Sequence, residues 1–433
     1  MPCPHAATFM MPAIAAIALF CTSLDAAQSS CCGTRGLEMA DEYRVAGLDD
    51  RRFNHAQYWS VLDAVLAGDS TGRVEVTEVG RSIEGRAINA VTMGTGPITV
   101  LLWSQMHGDE STASMSLADI IHWFAASPED DGLRRKLEDR LTITMIPMLN
   151  PDGAERFIRH NAIGIDVNRD ARRLATPEGR ILKAVRDSLE ADFGFNLHDQ
   201  GSRSAGPEGD LVAIALLAPA ADEDGSWGPV RQRARQLSAV IAAALQEEIP
   251  DLVARYDDTF TPRAFGDNMQ LWGTSTVLIE SGALRGDPQK QKLRELNVLA
   301  ILAALESVAD GSYEATSARA YDDLPLNVSI SYDLILSGSH IVMGSGNAYR
   351  ADIGIVFDDA AAGVGPRYSD VGDLSDVRAV EIIDASGLYV HPDLGSEYSL
   401  RRGEPARFVI RRGVSTDSPA VMRFPDSDAQ RPE

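Results

Sequence analysis

Residues 98–124 read ITVLLWSQMHGDESTASMSLADIIHWF, and their reading decides the fold. The apolar run 98–103 predicts a buried strand, and Leu117, Ile120, Ile121 and Phe124 recur at helical spacing directly after it. A strand therefore leads into a helix, across a turn that carries His107, Gly108 and Glu110. Ser111 or Thr112 stands where a side-chain cap for that helix is expected. A neutral imidazole and a carboxylate three residues apart at the carboxyl end of a strand form half of a zinc site. His-x-x-Glu alone is a common accident and reads equally as a capped, solvated turn, so its weight depends on the rest of the chain.

The chain has 433 residues, 44% of them hydrophobic and 24% charged, enough for two or three domains with a sizeable core. Forty Lys and Arg against 63 Asp and Glu leave a net charge of −23, spread along the chain without a basic patch. Such a surface repels nucleic acid and anionic lipid, which excludes both as expected partners. Residues 9–20 are apolar over a signal-peptide length too short to span a bilayer, so residues 1–27 are expected to be an export signal and the protein to be periplasmic or secreted. Cys21 is the alternative, a lipid-anchor site, disfavoured by the bulky Phe20 before it. All four cysteines fall within the first 32 residues. No disulfide framework or thiolate metal site is open to the rest, so a metal there must use His and carboxylate.

Strands are predicted at residues 74–79, 87–92, 98–103, 141–146, 193–197, 211–217 and 275–279, and helices after 111 and over 178–190, 230–246 and 288–308. Asn150-Pro151-Asp152-Gly153 suits a tight reversal. Strands alternating with helices predict an α/β catalytic domain over residues 37–312, its sheet covered on both faces. Beyond Gly311 the texture changes to short β-like runs at 327–336, 351–357, 380–383 and 407–410, an all-β domain over 322–414, and 415–433 reads as a polar tail.

His198 and Glu280 each follow a predicted strand, as the His107–Glu110 turn does, and ligands of open α/β sheets bind beyond the carboxyl ends of strands. Two His and one Glu would leave a fourth zinc position open for water. Singly, His198 reads as a satisfied core histidine and Glu280 as a strand-end carboxylate; jointly and in order they read as a site. His160 lacks a carboxylate at ligand spacing.

HGDE at 107–110, NPDG at 150–153, GIDVNRD at 164–170, NLHDQ at 196–200 and TSTVLIESG at 274–282 together resemble the zinc carboxypeptidases of the carboxypeptidase A type. That resemblance implies a mixed central sheet with helices on both faces and one zinc ion held by His107, Glu110 and His198. It implies Glu280 as general base, Arg159 as the group that polarises the scissile carbonyl, and Arg156 near the approach. Asn168 and Arg169 would hold the substrate's terminal carboxylate, and Asp166 would orient His107. The implied partner is a peptide or amino-acid-derived substrate with a free carboxylate. Departures from the pattern are Asp109 between the two ligands, Asp199-Gln200 after His198, and no evident loop tyrosine, Tyr256 being the nearest. The β region resembles the small β-sandwich beside the barrel of amidohydrolases, with no barrel present, and reads as an accessory module without chemistry of its own.

The expectation is an exported zinc metallocarboxypeptidase. The rivals are a peptidoglycan peptidase or amino-acid deacylase on the same scaffold, and a catalytically silent binding protein.

Overall fold

The computed structural model describes residues 35–69, 71–343, 346–393 and 400–425. The expected signal segment and the four cysteines lie outside them. Among the described residues no helix is long and apolar enough to cross a membrane.

The first sheet takes β1 (Val74–Arg81), β2 (Ala87–Met93), β3 (Ile98–Trp103), β4 (Leu141–Ile146), β5 (Phe193–Asp199), β7 (Ile214–Leu217), β8 (Val253–Arg255) and β9 (Ser275–Ser281), with β6 (Arg203–Ala205) apart. Its order is β1-β2-β4-β3-β5-β9-β7-β8. The central pairs β4/β3, β3/β5 and β5/β9 are parallel, while β1/β2, β2/β4 and β7/β9 are antiparallel, so the sheet is mixed. The apolar run in β3 shows why both faces are covered. Val100 and Leu102 enter one core, with residues of α1 (His55–Leu66), α2 (Thr112–Ala126), α3 (Gly132–Arg140), α6 (Pro229–Glu248) and α8 (Gln291–Asp310). Leu101 and Trp103 enter the other, with Leu182 of α5 (Pro177–Leu189) and Phe265 and Met269 of α7 (Phe265–Leu271). Each fully buried side chain of this kind contributes about 1.5–3 kcal/mol, so a strand apolar on both faces is fixed centrally.

The turn expected at NPDG is instead the start of α4 (Pro151–Arg156). Asn150 caps it, its side chain accepting the Gly153 N–H at 3.0 Å, and Pro151 occupies the first helical position, where its fixed φ suits a helix. Residues 45–48 are tied to the helices by Arg294, whose guanidinium is wholly buried against Asp119 and also donates to the carbonyls of Val45 and Leu48.

The second sheet contains β11 (Tyr332–Val342), β12 (Ala348–Asp359), β13 (Val364–Gly372), β14 (Ala379–Asp384), β15 (Tyr389–Pro392), β16 (Phe408–Arg411) and β17 (Ala420–Phe424). The all-β expectation for this region holds, as one connected seven-stranded network in which β14 and β15 both pair with β11. The expected polar tail is corrected in part: β17 pairs antiparallel with β16, and Met422 and Phe424 pack on the module's core. Period-two alternation in a five-residue strand among Ser, Asp and Arg was too short a signal to separate from a tail. The short β10 (Asn327–Ser329) pairs with β6 and links the two sheets.

Candidate metal centre

The site stands at the carboxyl ends of three adjacent parallel strands. β3 leads into the loop bearing His107 and Glu110, and the register of β5 and β9 sets His198 directly beside Glu280. Residues 82 apart in sequence thus become neighbours through strand pairing alone. The loop after β3 is held by its own polar groups. Gln105, with φ 51°, donates from Nε2 to the Gly108 carbonyl at 3.0 Å, and Asn150 Nδ2 donates to the Met106 carbonyl at 3.3 Å. A Cβ on Gly108 would lie 1.9 Å from the Gly153 carbonyl carbon, so only glycine admits this packing against α4. The capping expected of Ser111 and Thr112 is not formed. Ser111 donates instead to the Arg51 carbonyl at 2.6 Å and Thr112 to Asp199 Oδ2 at 2.6 Å, which fastens the helix start to its surroundings.

His107, Glu110 and His198 are buried, and their ligand atoms lie within 4.8 Å of one another, the one such His/Cys/Asp/Glu group among the described residues. The Nδ1 atoms of both histidines meet the Glu110 carboxylate at 2.7 Å each. Two imidazole nitrogens and a carboxylate converging on one point are a donor set that fits zinc, with the remaining position open to the cavity. Behind them, His107 Nε2 is 3.0 Å from Asp166 Oδ1, and His198 Nε2 is 3.2 Å from Asn168 Nδ2.

Charge in this cluster is balanced locally. Burial opposes protonation of His107, yet Glu110 and Asp166 raise it to about 9. Burial disfavours the Glu110 anion, but the two imidazoles hold its carboxyl well below the usual range. Asp166 is half-buried and is likewise held low, by His107 and Arg159. Burial, and after it the charge of Glu110, push Glu280 up to about 8 among the protein groups alone. A cation held by the triad acts on Glu280 in the opposite direction.

The centre opens into a cavity of about 690 Å³ that also holds Arg159, Asn168, Arg169 and Tyr256. Arg159 reaches Asp166 Oδ2 through Nε and Nη2, at 3.1 and 3.0 Å, and Glu110 Oε1 through Nη1 at 3.1 Å. The Asn168 amide is engaged at both ends, its Oδ1 accepting the Phe265 N–H at 2.9 Å. Arg169 is exposed, donates from Nη1 to the Asn168 carbonyl at 2.8 Å, and makes no ion pair among the described residues. Arg156 is the expected residue that is not brought in. It pairs with Glu84 and the Asp152 carbonyl, outside the cavity, so a substrate-binding role is not supported by its position. The resemblance placed Arg156 near the approach, but residue 157 adopts φ 50° after the short helix α4 and turns the chain between Arg156 and Arg159.

Other groups in the cavity went unread. Lys290 is buried and donates to Asp199 Oδ2 at 3.1 Å, while Arg51, Arg52, Phe157 and residues 358–361 complete the wall. An adjacent Arg-Arg pair in the lead-in and an Asp directly after His198 were the available signals. Residues 358–361 bring the β module to the cavity wall, which the reading of it as an accessory module without chemistry of its own did not anticipate.

Comparison with known proteins gives one family model, described as zinc carboxypeptidase, matching residues 60–201. An uncharacterised protein of Zymomonas mobilis is 29% identical over 143 residues, 32% of this chain and 36% of that one. A probable carboxypeptidase 2 of Trichophyton verrucosum is 28% identical over 145 residues, 33% of this chain and 27% of its own. The chain therefore spans about a third of the length of the relatives it matches. Among solved structures, a metallo-carboxypeptidase of Burkholderia cenocepacia has a TM-score of 0.48 at 22% identity, covering 60% of this chain and 70% of that one. A carboxypeptidase A of Helicoverpa armigera has a TM-score of 0.48 at 16% identity, covering 64% and 81%.

If His107, Glu110 and His198 are the ligands, replacing His198 with Ala removes one of three from a site with none to spare. The purified variant is expected to carry well under one equivalent of zinc by atomic emission. A full equivalent would exclude His198 as a ligand.

Proposed function

On the premise that residues 60–201 match the zinc carboxypeptidase family, we propose that this protein hydrolyses the C-terminal peptide bond of substrates with a free carboxylate. The observation that carries the reading is the convergence of the His107, Glu110 and His198 ligand atoms beside Glu280, in one cavity with Arg159 and Arg169. When bound, zinc supplies Lewis acidity, polarising the scissile carbonyl and lowering the pKa of water to about 7.

The chain's own groups do the rest. Glu280 takes a proton from the attacking water and delivers it to the leaving nitrogen as the C–N bond breaks. Arg159, fixed by Asp166 and Glu110, faces the oxygen on which negative charge develops. Asp166 accepts from His107 Nε2, which leaves Nδ1 directed at the metal position, while the Asn168 amide nitrogen lies 3.2 Å from His198 Nε2 and limits the movement of that ring. Arg169 holds the terminal carboxylate with a guanidinium that pairs with no protein anion among the described residues. Tyr256, with Arg203 5.2 Å from its ring centroid, stands in for the family's loop tyrosine. Export is the location that the apolar run 9–20 supports.

The zinc-loaded protein is expected to release the terminal amino acid from N-blocked dipeptides. If it instead cleaves only N-acetyl amino acids, it is a deacylase. Full zinc with no release from either would leave a binding protein.

A further inference from the structure

The hairpin between β12 and β13 belongs to the same cavity as the metal centre. Residues 358–361 line it, although Asp359 is 308 residues from Arg51 in sequence. Two arginines fasten the hairpin. Arg51 Nη2 donates to Asp359 Oδ1, and Arg52 Nη2 donates to Oδ2 at 2.6 Å. Asp359 itself is 8% exposed and also accepts the Ala362 N–H at 3.2 Å, so one carboxylate holds both the turn and the contact. Both guanidinium groups lie over the Phe157 ring, at 5.1 and 4.6 Å from its centroid. Arg51 is in turn pinned at its backbone, its carbonyl accepting from Ser111 and its N–H donating to Gln289 at 3.0 Å. The hairpin tip is thus rigidly joined to the loop that carries Glu110.

A second set of contacts fixes the segment after His198. Asn327 Nδ2 donates to Gln200 Oε1 at 2.6 Å, β10 pairs with β6, and Arg378 donates to Ser204 Oγ and the Gly209 carbonyl at 2.9 Å each. The 3-10 turn that carries Arg169 rests against the start of α7, where Asn168 Oδ1 accepts the Phe265 N–H.

From this geometry we propose that the C-terminal β module is a wall of the substrate site and restricts the enzyme to short substrates, two or three residues long with a free carboxylate. The inference rests on the carboxypeptidase reading, because Arg169 must anchor the terminal carboxylate. An extended substrate so anchored grows by about 3.3–3.6 Å per residue toward its amino end. The Arg51–Arg52–Asp359 cluster and residues 358–361 line the same cavity as Arg169, whose volume, about 690 Å³, is in the range of small-molecule pockets. An open groove for a long chain would need this side free.

The test compares kcat/KM on N-blocked peptides of two to six residues for the zinc-loaded full chain and for its Asp359→Ala and Arg52→Ala variants. Wild-type kcat/KM is expected to fall at least tenfold between three and five residues. The ratio of pentapeptide to dipeptide rates should rise at least tenfold in Asp359→Ala and severalfold in Arg52→Ala, which removes only the half-exposed arm of the cluster. Equal wild-type rates at every length overturn the proposal, and so does a variant that lowers all lengths in proportion. A second readout does not require turnover: in zinc-loaded Glu280→Gln, a blocked dipeptide should slow amide hydrogen exchange at 358–364 as well as at 199–203. Protection at 199–203 without protection at 358–364 overturns the wall. If wild type cleaves no peptide of any length, the carboxypeptidase reading has failed, and the exchange measurement decides the wall on its own.

Discussion

Glu280→Gln is expected to lower kcat/KM on a blocked dipeptide by about 10²–10⁴-fold while leaving one equivalent of zinc in place. Glutamine keeps the shape of the side chain and its place beside His198 in the β5/β9 register, but it cannot accept a proton. The loss corresponds to roughly 3–5 kcal/mol of transition-state stabilisation, as expected of one positioned acid/base. Because Glu280 is outside the set whose ligand atoms converge, zinc binding should be indifferent to the change. Zinc by atomic emission and steady-state rates on the same preparation check both halves. Wild-type rates would move the base elsewhere, to another titratable group of the cavity wall such as Tyr256, Asp109 or Asp267. Loss of zinc together with activity would make Glu280 a fourth ligand.

The candidate metal centre was legible in the sequence because each part follows a strand that is legible in its own right. β3, β5 and β9 are short apolar runs, and in a parallel sheet covered on both faces such runs end at the ligand-binding edge, so His107, His198 and Glu280 are marked by where the apolar pattern stops. The expected bounds of β3 and β4 agree with those observed, at 98–103 and 141–146. What pattern could not give is side-chain direction and long-range closure. Arg156 and Arg159 are three residues apart, and a positive φ at Phe157 sends one to Glu84 and the other to Asp166. Asn168 reads as a substrate ligand by motif, and the pattern did not show that its amide also meets His198 and the Phe265 N–H. Asp359 joins Arg51 across most of the chain, and no local period records such a pair. The β module was legible as β and not as part of the site for that reason.

Arg169 decides whether the terminus is what the cavity recognises. Its guanidinium donates one hydrogen bond to the Asn168 carbonyl and has no carboxylate partner among the described residues, so most of its donors are available to a ligand anion. A substrate carboxylate would form the forked pair that this group favours, and amidation removes the charge and one acceptor. Breaking a desolvated charged pair costs on the order of 2–5 kcal/mol. Arg169 is exposed, so solvent screens the pair and the lower end applies. Wild type is therefore expected to prefer a free-acid dipeptide over its C-terminal amide by about 30-fold in kcat/KM. Arg169→Ala should lose a similar factor on the acid and almost nothing on the amide, since the amide never made the contact. The two rates should then converge, a double-substitution cycle between one side chain and one substrate group. Equal wild-type rates on acid and amide would reject the exopeptidase reading and leave a zinc hydrolase that cuts elsewhere. A preference that survives in Arg169→Ala would instead transfer the carboxylate to another cation of the wall, such as Arg159 or Arg203.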